Sequence, residues 1–318
     1  MTRAILFDCD PGVDDALALM LAHGHPELDI LAVTTCGGNQ TVDKVTRNAL
    51  ALADLLGMDD VPVAAGAHRP LVREPLTAEN IHGDTGLGVV KLPEPQHALD
   101  TRHAVDVIIQ TVLSRPPQEI TVIATGPLTN LALAIRQAPE IVARVHDVVL
   151  MGGAIHTGNV TPVAEFNIAV DPEAAQAVFN AGWPVTMVGL DVTHQALATP
   201  DVEAQFAALG TPFGDVAVEL IHSYRHAYAN DQAFVDPPCH DPVAVARVIA
   251  PELVTVRQAP VNVELHGELT TGQTIVDLRR PAPTECITSV ATELDHTGFW
   301  QLVVNTVDCL GHPKTQEG

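Results

Sequence analysis

Ile5-Leu-Phe-Asp-Cys-Asp-Pro-Gly-Val-Asp-Asp-Ala16 decides how the chain is read. A short apolar run ends in Asp8 and Asp10, and Pro11 and Gly12 turn the chain. Asp14 and Asp15 then open an apolar run from Ala16 to Ala22 that reads as a helix. Acidic residues in a first helical turn are favoured by the macrodipole alone, but capping needs one carboxylate and this stretch supplies four. Carboxylates this close repel one another unless something positive sits among them. A hard cation held by oxygen ligands is the simplest partner.

Outward from that stretch, short apolar runs alternate with helical patterns. Strands are expected at 28–35, 61–65, 119–124, 147–151 and 185–190. Helices are expected at 41–56, 103–113, 127–136 (with Pro127 as first residue) and from Asp171-Pro172-Glu173 onward. Helical patterns fill 200–228, and Asp241-Pro242 opens a helix through Ile249. β-rich runs follow at 254–265 and 273–278, and an apolar helix near 299–307 closes the chain. This order predicts an α/β fold: an open, mostly parallel, Rossmann-like sheet with helices on both faces. Two stretches break the rhythm, 66–100 and 154–170. The first carries His82-Gly-Asp-Thr-Gly-Leu-Gly88 and reads as a flap. No repeat or linker is apparent, so residues 1–318 are read as one domain.

Composition narrows the function. The 318 residues are 47% hydrophobic and 17% charged, which predicts a folded globular protein. The formal net charge of −23 argues against nucleic acid and anionic membranes as partners, but not against a small neutral substrate. Five scattered cysteines without C-x-x-C spacing read as reduced thiols. The N-terminus enters a strand at once, with no signal-peptide pattern. No apolar run approaches the roughly 18 residues of a membrane span. A cytoplasmic location is the expectation.

Ligands of an open parallel sheet collect beyond the carboxyl ends of its strands. The polar residues expected there are Asp8, Asp10, Asp14 and Asp15, then Asn39, Thr125, Asn159, Glu165 and Asn167, with His240 and Asp241 after a later break. Each has an ordinary reading: Asn39 as a turn residue, Asp241 as a helix N-cap, Cys9 as a small packed residue facing away from the acids. Glu165 and Asn167 would share one face of an extended segment. Convergence of several places on one rim is the stronger signal.

These residues resemble a known family. Asp8-x-Asp10-Pro-Gly-x-Asp14-Asp15-Ala16 is similar to the N-terminal signature of the nucleoside hydrolases. Gly37-Gly38-Asn39, Thr125-Gly-Pro-Leu-Thr-Asn130, Met151-Gly-Gly153, Glu165-Phe-Asn167 and Cys239-His-Asp-Pro242 follow in that family's order. The resemblance, to the inosine-uridine preferring type, covers about residues 5–245. It implies calcium-dependent hydrolysis of the N-glycosidic bond of ribonucleosides. It implies Ca²⁺ held by Asp10, Asp15, the carbonyl of Thr125 and Asp241, with Asp10 also the base that activates water. It implies ribose contacts from Asp14, Asn39, Asn159, Glu165 and Asn167, with Met151 nearby. His240 resembles the leaving-group acid, while His82, Phe166, Tyr224 and Tyr228 would meet the base. A homodimer or homotetramer is implied as well. Asp8 is expected to orient a ligand or a neighbouring Asn. Two other readings compete: a non-catalytic nucleoside or ribose sensor, and a haloacid-dehalogenase-like phosphohydrolase with Asp8 as nucleophile. Pro11 and the scarcity of lysine weigh against the second.

Overall fold

The computed structural model describes residues 2–279 and 286–311. Its elements run β1 (Arg3–Cys9), α1 (Val13–Gly24), β2 (Leu28–Thr35), α2 (Val42–Leu56), β3 (Val63–Ala65), α3 (Glu79–His82), α4 (Ala104–Ser114), β4 (Ile120–Ala124), α5 (Thr129–Gln137) and β5 (Asp147–Met151). They continue with α6 (Phe166–Val170), α7 (Pro172–Phe179), β6 (Val185–Val188), α8 (Leu190–Thr193), α9 (Pro200–Ala208), α10 (Pro212–Asp231) and α11 (Asp241–Ile249). The chain ends with β7 (Val254–Gln258), β8 (Val261–Val263), β9 (Thr274–Val276), β10 (Thr288–Leu294) and α12 (His296–Leu310).

Eight strands form one sheet in the order β3-β2-β1-β4-β5-β6-β10-β7. All neighbours are parallel except β10 and β7. The order reverses direction between β1 and β4, so the crevice beyond their carboxyl ends is the switch point where such sheets bind ligands. Strand alternation sorts the buried side chains onto two faces. Ile5, Phe7 and Cys9 of β1 pack in one core with α1, α10, α11 and α12. Ala4 and Leu6 pack in the other with α4, α5 and α7. Cys9 therefore sits among helices on the face opposite Asp8, as the alternation predicts.

Several boundaries differ from the sequence reading. Pro127 is not the first residue of α5: Leu128 is the N-cap, and Thr129 starts the helix. The strand expected at 185–190 stops at Val188, and Leu190 already belongs to α8. The irregular stretch 154–170 ends in a short helix, α6. β10 has no counterpart in the sequence reading, yet it bridges β6 and β7. Asp171 caps α7 as expected, accepting from the Ala174 N–H at 3.0 Å. Among the described residues, no helix is long and apolar enough to cross a membrane.

Candidate active site

The floor of the site is knitted from β1, α1, the loop after β2 and the residue after β4. Asp15, in the first turn of α1, accepts from the Gly12 N–H (2.9 Å), Asn39 Nδ2 (3.0 Å) and Thr125 Oγ1 (2.8 Å). Asp10 Oδ2 accepts from the Asn39 N–H at 2.6 Å, while its Oδ1 is buried with no partner. Two glycines make room for this carboxylate. A Cβ on Gly38 would collide with Asp10 Oδ2, and one on Gly126 would lie 2.7 Å from Oδ1. Asp8 is turned aside. Its Oδ1 accepts from Thr34 Oγ1 (2.5 Å) and Asn130 Nδ2 (2.8 Å), and Asn130 Oδ1 in turn accepts from the Ala67 N–H.

Asp241 is not the N-cap that its place before proline suggested. His240 occupies that position and Asp241 is the first helical residue of α11. Its carboxylate is thereby available to the floor. Oxygens of Asp14, Asp15 and Asp241 all lie within 4.8 Å of one another, a group that could hold a metal ion. Asp10 lies beside this group rather than within it.

The second side of the site comes from β5 and α6. Glu165 and Asn167 do not lie on an extended segment. Glu165 is the N-cap of α6, accepting from the Asn167, Ile168 and Gly153 N–H groups at 2.9, 3.2 and 2.9 Å. Asn167 Nδ2 donates to the carbonyls of Thr125 (2.8 Å) and Met151 (3.2 Å), which ties the ends of β4 and β5 together. Asn159 Oδ1 accepts from the Phe166 N–H at 2.9 Å. Phe166 packs against Ala78 of the 66–100 segment.

The third side is α10 with the start of α11. Tyr224 and Tyr228, one turn apart, meet edge to face with ring centroids 4.7 Å apart. The Tyr228 hydroxyl lies 2.7 Å from His240 Nε2, and Thr193 Oγ1 lies 2.7 Å from His240 Nδ1. Both ring nitrogens of His240 are thus engaged. His82 comes down from the 66–100 segment, and its Nδ1 accepts from the Val13 N–H at 3.1 Å. That bond satisfies one of the open amides of the first turn of α1 and places the remaining ring proton on Nε2. The segment is held further by Ser223 Oγ, which accepts from the Val89 N–H, and by Asn80 Nδ2, which donates to Asp231.

These sides enclose a cavity of about 320 Å³. Every residue expected at the site lines it except Asp8, Asp10 and Asp15, which are buried within the floor. No lysine or arginine is among the lining residues. The carboxyls answer to that environment. Burial and the neighbouring acids push Asp10 and Asp241 well above the carboxylate range, and push Asp14 up to about 7. The nearby Tyr224 hydroxyl and the His240 backbone N–H counter the rise at Asp14. Burial raises Glu165 to about 7 and lowers His82 to about 3, and burial with the neighbouring His194 and His82 drives His240 well below the ordinary histidine range. An all-oxygen donor set, crowded, buried and without a cationic side chain, fits a hard divalent cation. The partnerless Asp10 Oδ1 fits one too.

Thr193, Leu76, Thr77, Val160, Asp231 and Gln232 were not singled out from sequence. Thr193 fixes His240, and the others line the cavity. Thr193 was findable: it follows the carboxyl end of β6, where the same rim rule applies. It was hidden because the strand was read through Leu190.

A buried, acidic floor of oxygen donors under a half-open cavity at a sheet switch point is the kind of site that binds a small, uncharged, hydroxyl-bearing ligand beside a hard cation. The family model described as Inosine-uridine preferring nucleoside hydrolase matches residues 5–301. The Inosine-uridine preferring nucleoside hydrolase of Leishmania major is 51% identical over 315 residues, 99% of this chain and 100% of that protein. The pyrimidine-specific ribonucleoside hydrolase RihA of Citrobacter koseri is 43% identical, over 95% of this chain and 97% of its own. The solved structure of a purine-preferring ribonucleoside hydrolase from Gardnerella vaginalis superposes with a TM-score of 0.90 at 36% identity, covering 97% of this chain and 99% of that one. The chain belongs to the inosine-uridine preferring nucleoside hydrolase family. It is a nucleoside hydrolase, an enzyme of ribonucleosides, and the sensor and phosphohydrolase readings fall away.

Proposed function

We propose that this enzyme hydrolyses the N-glycosidic bond of both purine and pyrimidine ribonucleosides, inosine and uridine foremost, with Ca²⁺ as its resident ion. The observation that carries this reading is one cavity joining the carboxylate floor to a wall of Tyr224, Tyr228 and His240. The relatives' names support inosine and uridine, since the most similar of the three named above is described as preferring that pair.

Asp10, Asp15, Asp241 and the Thr125 carbonyl would hold the ion, with Asp14 beside them. Bound there, Ca²⁺ would supply positive charge that orients ribose hydroxyls and makes a water more acidic. Asp10 takes the proton of the attacking water through Oδ1, the oxygen with no other partner. Asp14, Asn39, Asn159, Glu165 and Asn167 grip the ribose, with Met151 against the sugar. As the glycosidic bond lengthens, positive charge grows on the sugar, and the surrounding carboxylates stabilise it. The departing base needs a proton. The Tyr228 hydroxyl would donate that proton to the base and be reprotonated through His240, its partner at 2.7 Å, which takes a proton from solvent to complete the turnover. His82 and Phe166 close the base side. The five cysteines are unpaired, which accords with a cytoplasmic setting, and a homodimer or homotetramer is the assembly the family implies.

Release of reducing sugar from inosine and uridine tests the reading. Both substrates are expected to turn over, a chelator to abolish both activities, and added Ca²⁺ to restore them. Turnover confined to one base class would overturn the dual specificity. Turnover indifferent to chelation would overturn the role of the ion.

A further inference from the structure

α10 has two polar identities. Tyr224 and Tyr228 are buried against the cavity, and Ser223 beside them holds the 66–100 segment. His222 and His226, four residues apart on the same turns, are exposed. Their Nε2 atoms lie 3.1 Å apart, with the rings near perpendicular and their centroids 4.7 Å apart. Two imidazole nitrogens this close either share one proton or present two lone pairs to a common centre.

The surroundings favour the second use. The Glu203 carboxylate lies 3.9 Å from His222 Nδ1, on the ring edge away from Nε2. At 3.9 Å the carboxylate does not hydrogen-bond the ring, but its charge lies on the Nδ1 edge and leaves Nε2 open toward His226. Arg225 sits between the two histidines in sequence and would repel a cation if it were free. It is not: its guanidinium is bound by Glu203 (3.2 Å), Asp236 and the Ala198 carbonyl (2.7 Å). The chain charge of −23 adds a background that concentrates cations.

We propose that His222 and His226 form a surface site for an imidazole-preferring transition ion, Zn²⁺, Ni²⁺ or Cu²⁺, on the outer face of the helix whose inner face walls the active site. Its nitrogen donors distinguish it from the oxygen-lined floor, so the two sites take different ions. Two ligands on successive turns act as a chelate, because binding by one raises the effective concentration of the other. An ion there clips residue 222 to residue 226. It therefore secures the turn that carries Tyr224 without touching the cavity.

Titration of the tag-free full chain with Ni²⁺, with Ca²⁺ in excess to occupy the acidic floor, tests the proposal. One equivalent is expected to bind, and His222→Ala or His226→Ala is expected to weaken that binding by about 10²-fold. Hydrogen exchange of amides 226–230 is expected to slow on Ni²⁺ addition in the parent and not in either variant. Basal hydrolysis is expected to be unchanged in both variants, since neither histidine lines the cavity. Equal Ni²⁺ affinity in parent and variants would overturn the site. Binding that leaves exchange in this turn unaltered would overturn the clip.

Discussion

At the scale of single residues, the site separates groups that hold from groups that react. Asp15, Asn39, Glu165 and Asn167 spend hydrogen bonds on the scaffold. Asp10 keeps one oxygen uncommitted. Asp10→Asn retains the shape but removes the proposed base. It is expected to lower kcat by about 10²–10⁴-fold, with a correctly folded protein by circular dichroism; unchanged kcat would remove Asp10 from the reaction. His82 makes a different prediction, about pH. Folded His82 stays neutral down to about 3, against an ordinary 6.5. Its contribution to stability is therefore fully present above pH 6.5. It is lost as pH falls from there toward 3, because only the unfolded chain takes up the proton. The unfolding free energy of the parent, relative to His82→Gln, is expected to fall by about 1.4 kcal/mol per pH unit across that window. Urea denaturation at several pH values measures this, and parallel profiles for the two proteins would contradict it.

At the scale of elements, β1 and the loop after β2 must approach within van der Waals contact for Asp10 to meet the Asn39 amide. Gly38 permits the approach. Gly38→Ala drives a methyl into Asp10 Oδ2, with Pro127 Cδ only 2.8 Å away on the other side. Overpacking of this kind costs about 1–3 kcal/mol. The variant is expected to lose that much stability in denaturant and most of its turnover, and a fully active Gly38→Ala would show that the loop has slack. The same scale explains what the sequence could and could not disclose. β1, α1, β2, β4 and β5 were legible because buried parallel strands read as apolar runs and their helices as amphipathic periods. β10 was not, since Thr288-Ser-Val-Ala-Thr-Glu-Leu294 alternates weakly and joins the sheet only through distant β6 and β7. Asp8, Asp10, Asp14 and Asp15 were legible as chemistry because no local structural need explains four acids in one short stretch, whereas Asp241 alone reads as a helix N-cap and joined them as a metal ligand only through the family resemblance. The hold of Thr193 on His240 joins residues 47 apart in sequence and has no local signature.

At the scale of the whole molecule, charge and cavity act in the same direction on substrate choice. The chain carries −23 formally, and the cavity is lined by Asp14, Glu165, Asp231 and Asp241 with no lysine or arginine. A nucleoside enters without charge, and its hydroxyls can be matched by carboxylates and amides. A nucleoside 5′-monophosphate brings two negative charges into the same space. Two like charges 4 Å apart at a partly buried site repel by about 4 kcal/mol, close to a thousandfold in affinity. A bound divalent cation offsets part of that repulsion, but it is already shared among the floor carboxylates. The ratio of kcat/KM for uridine over uridine 5′-monophosphate is therefore expected to exceed about 10² at low ionic strength. It should narrow as salt screens the exposed part of the field. Introducing a cation at the mouth, as in Gln232→Arg, should narrow it further, chiefly through KM for the monophosphate. Comparable efficiency on the two substrates in the parent enzyme would show that the phosphate lies outside the reach of these acids, and would move the source of discrimination from electrostatics to shape.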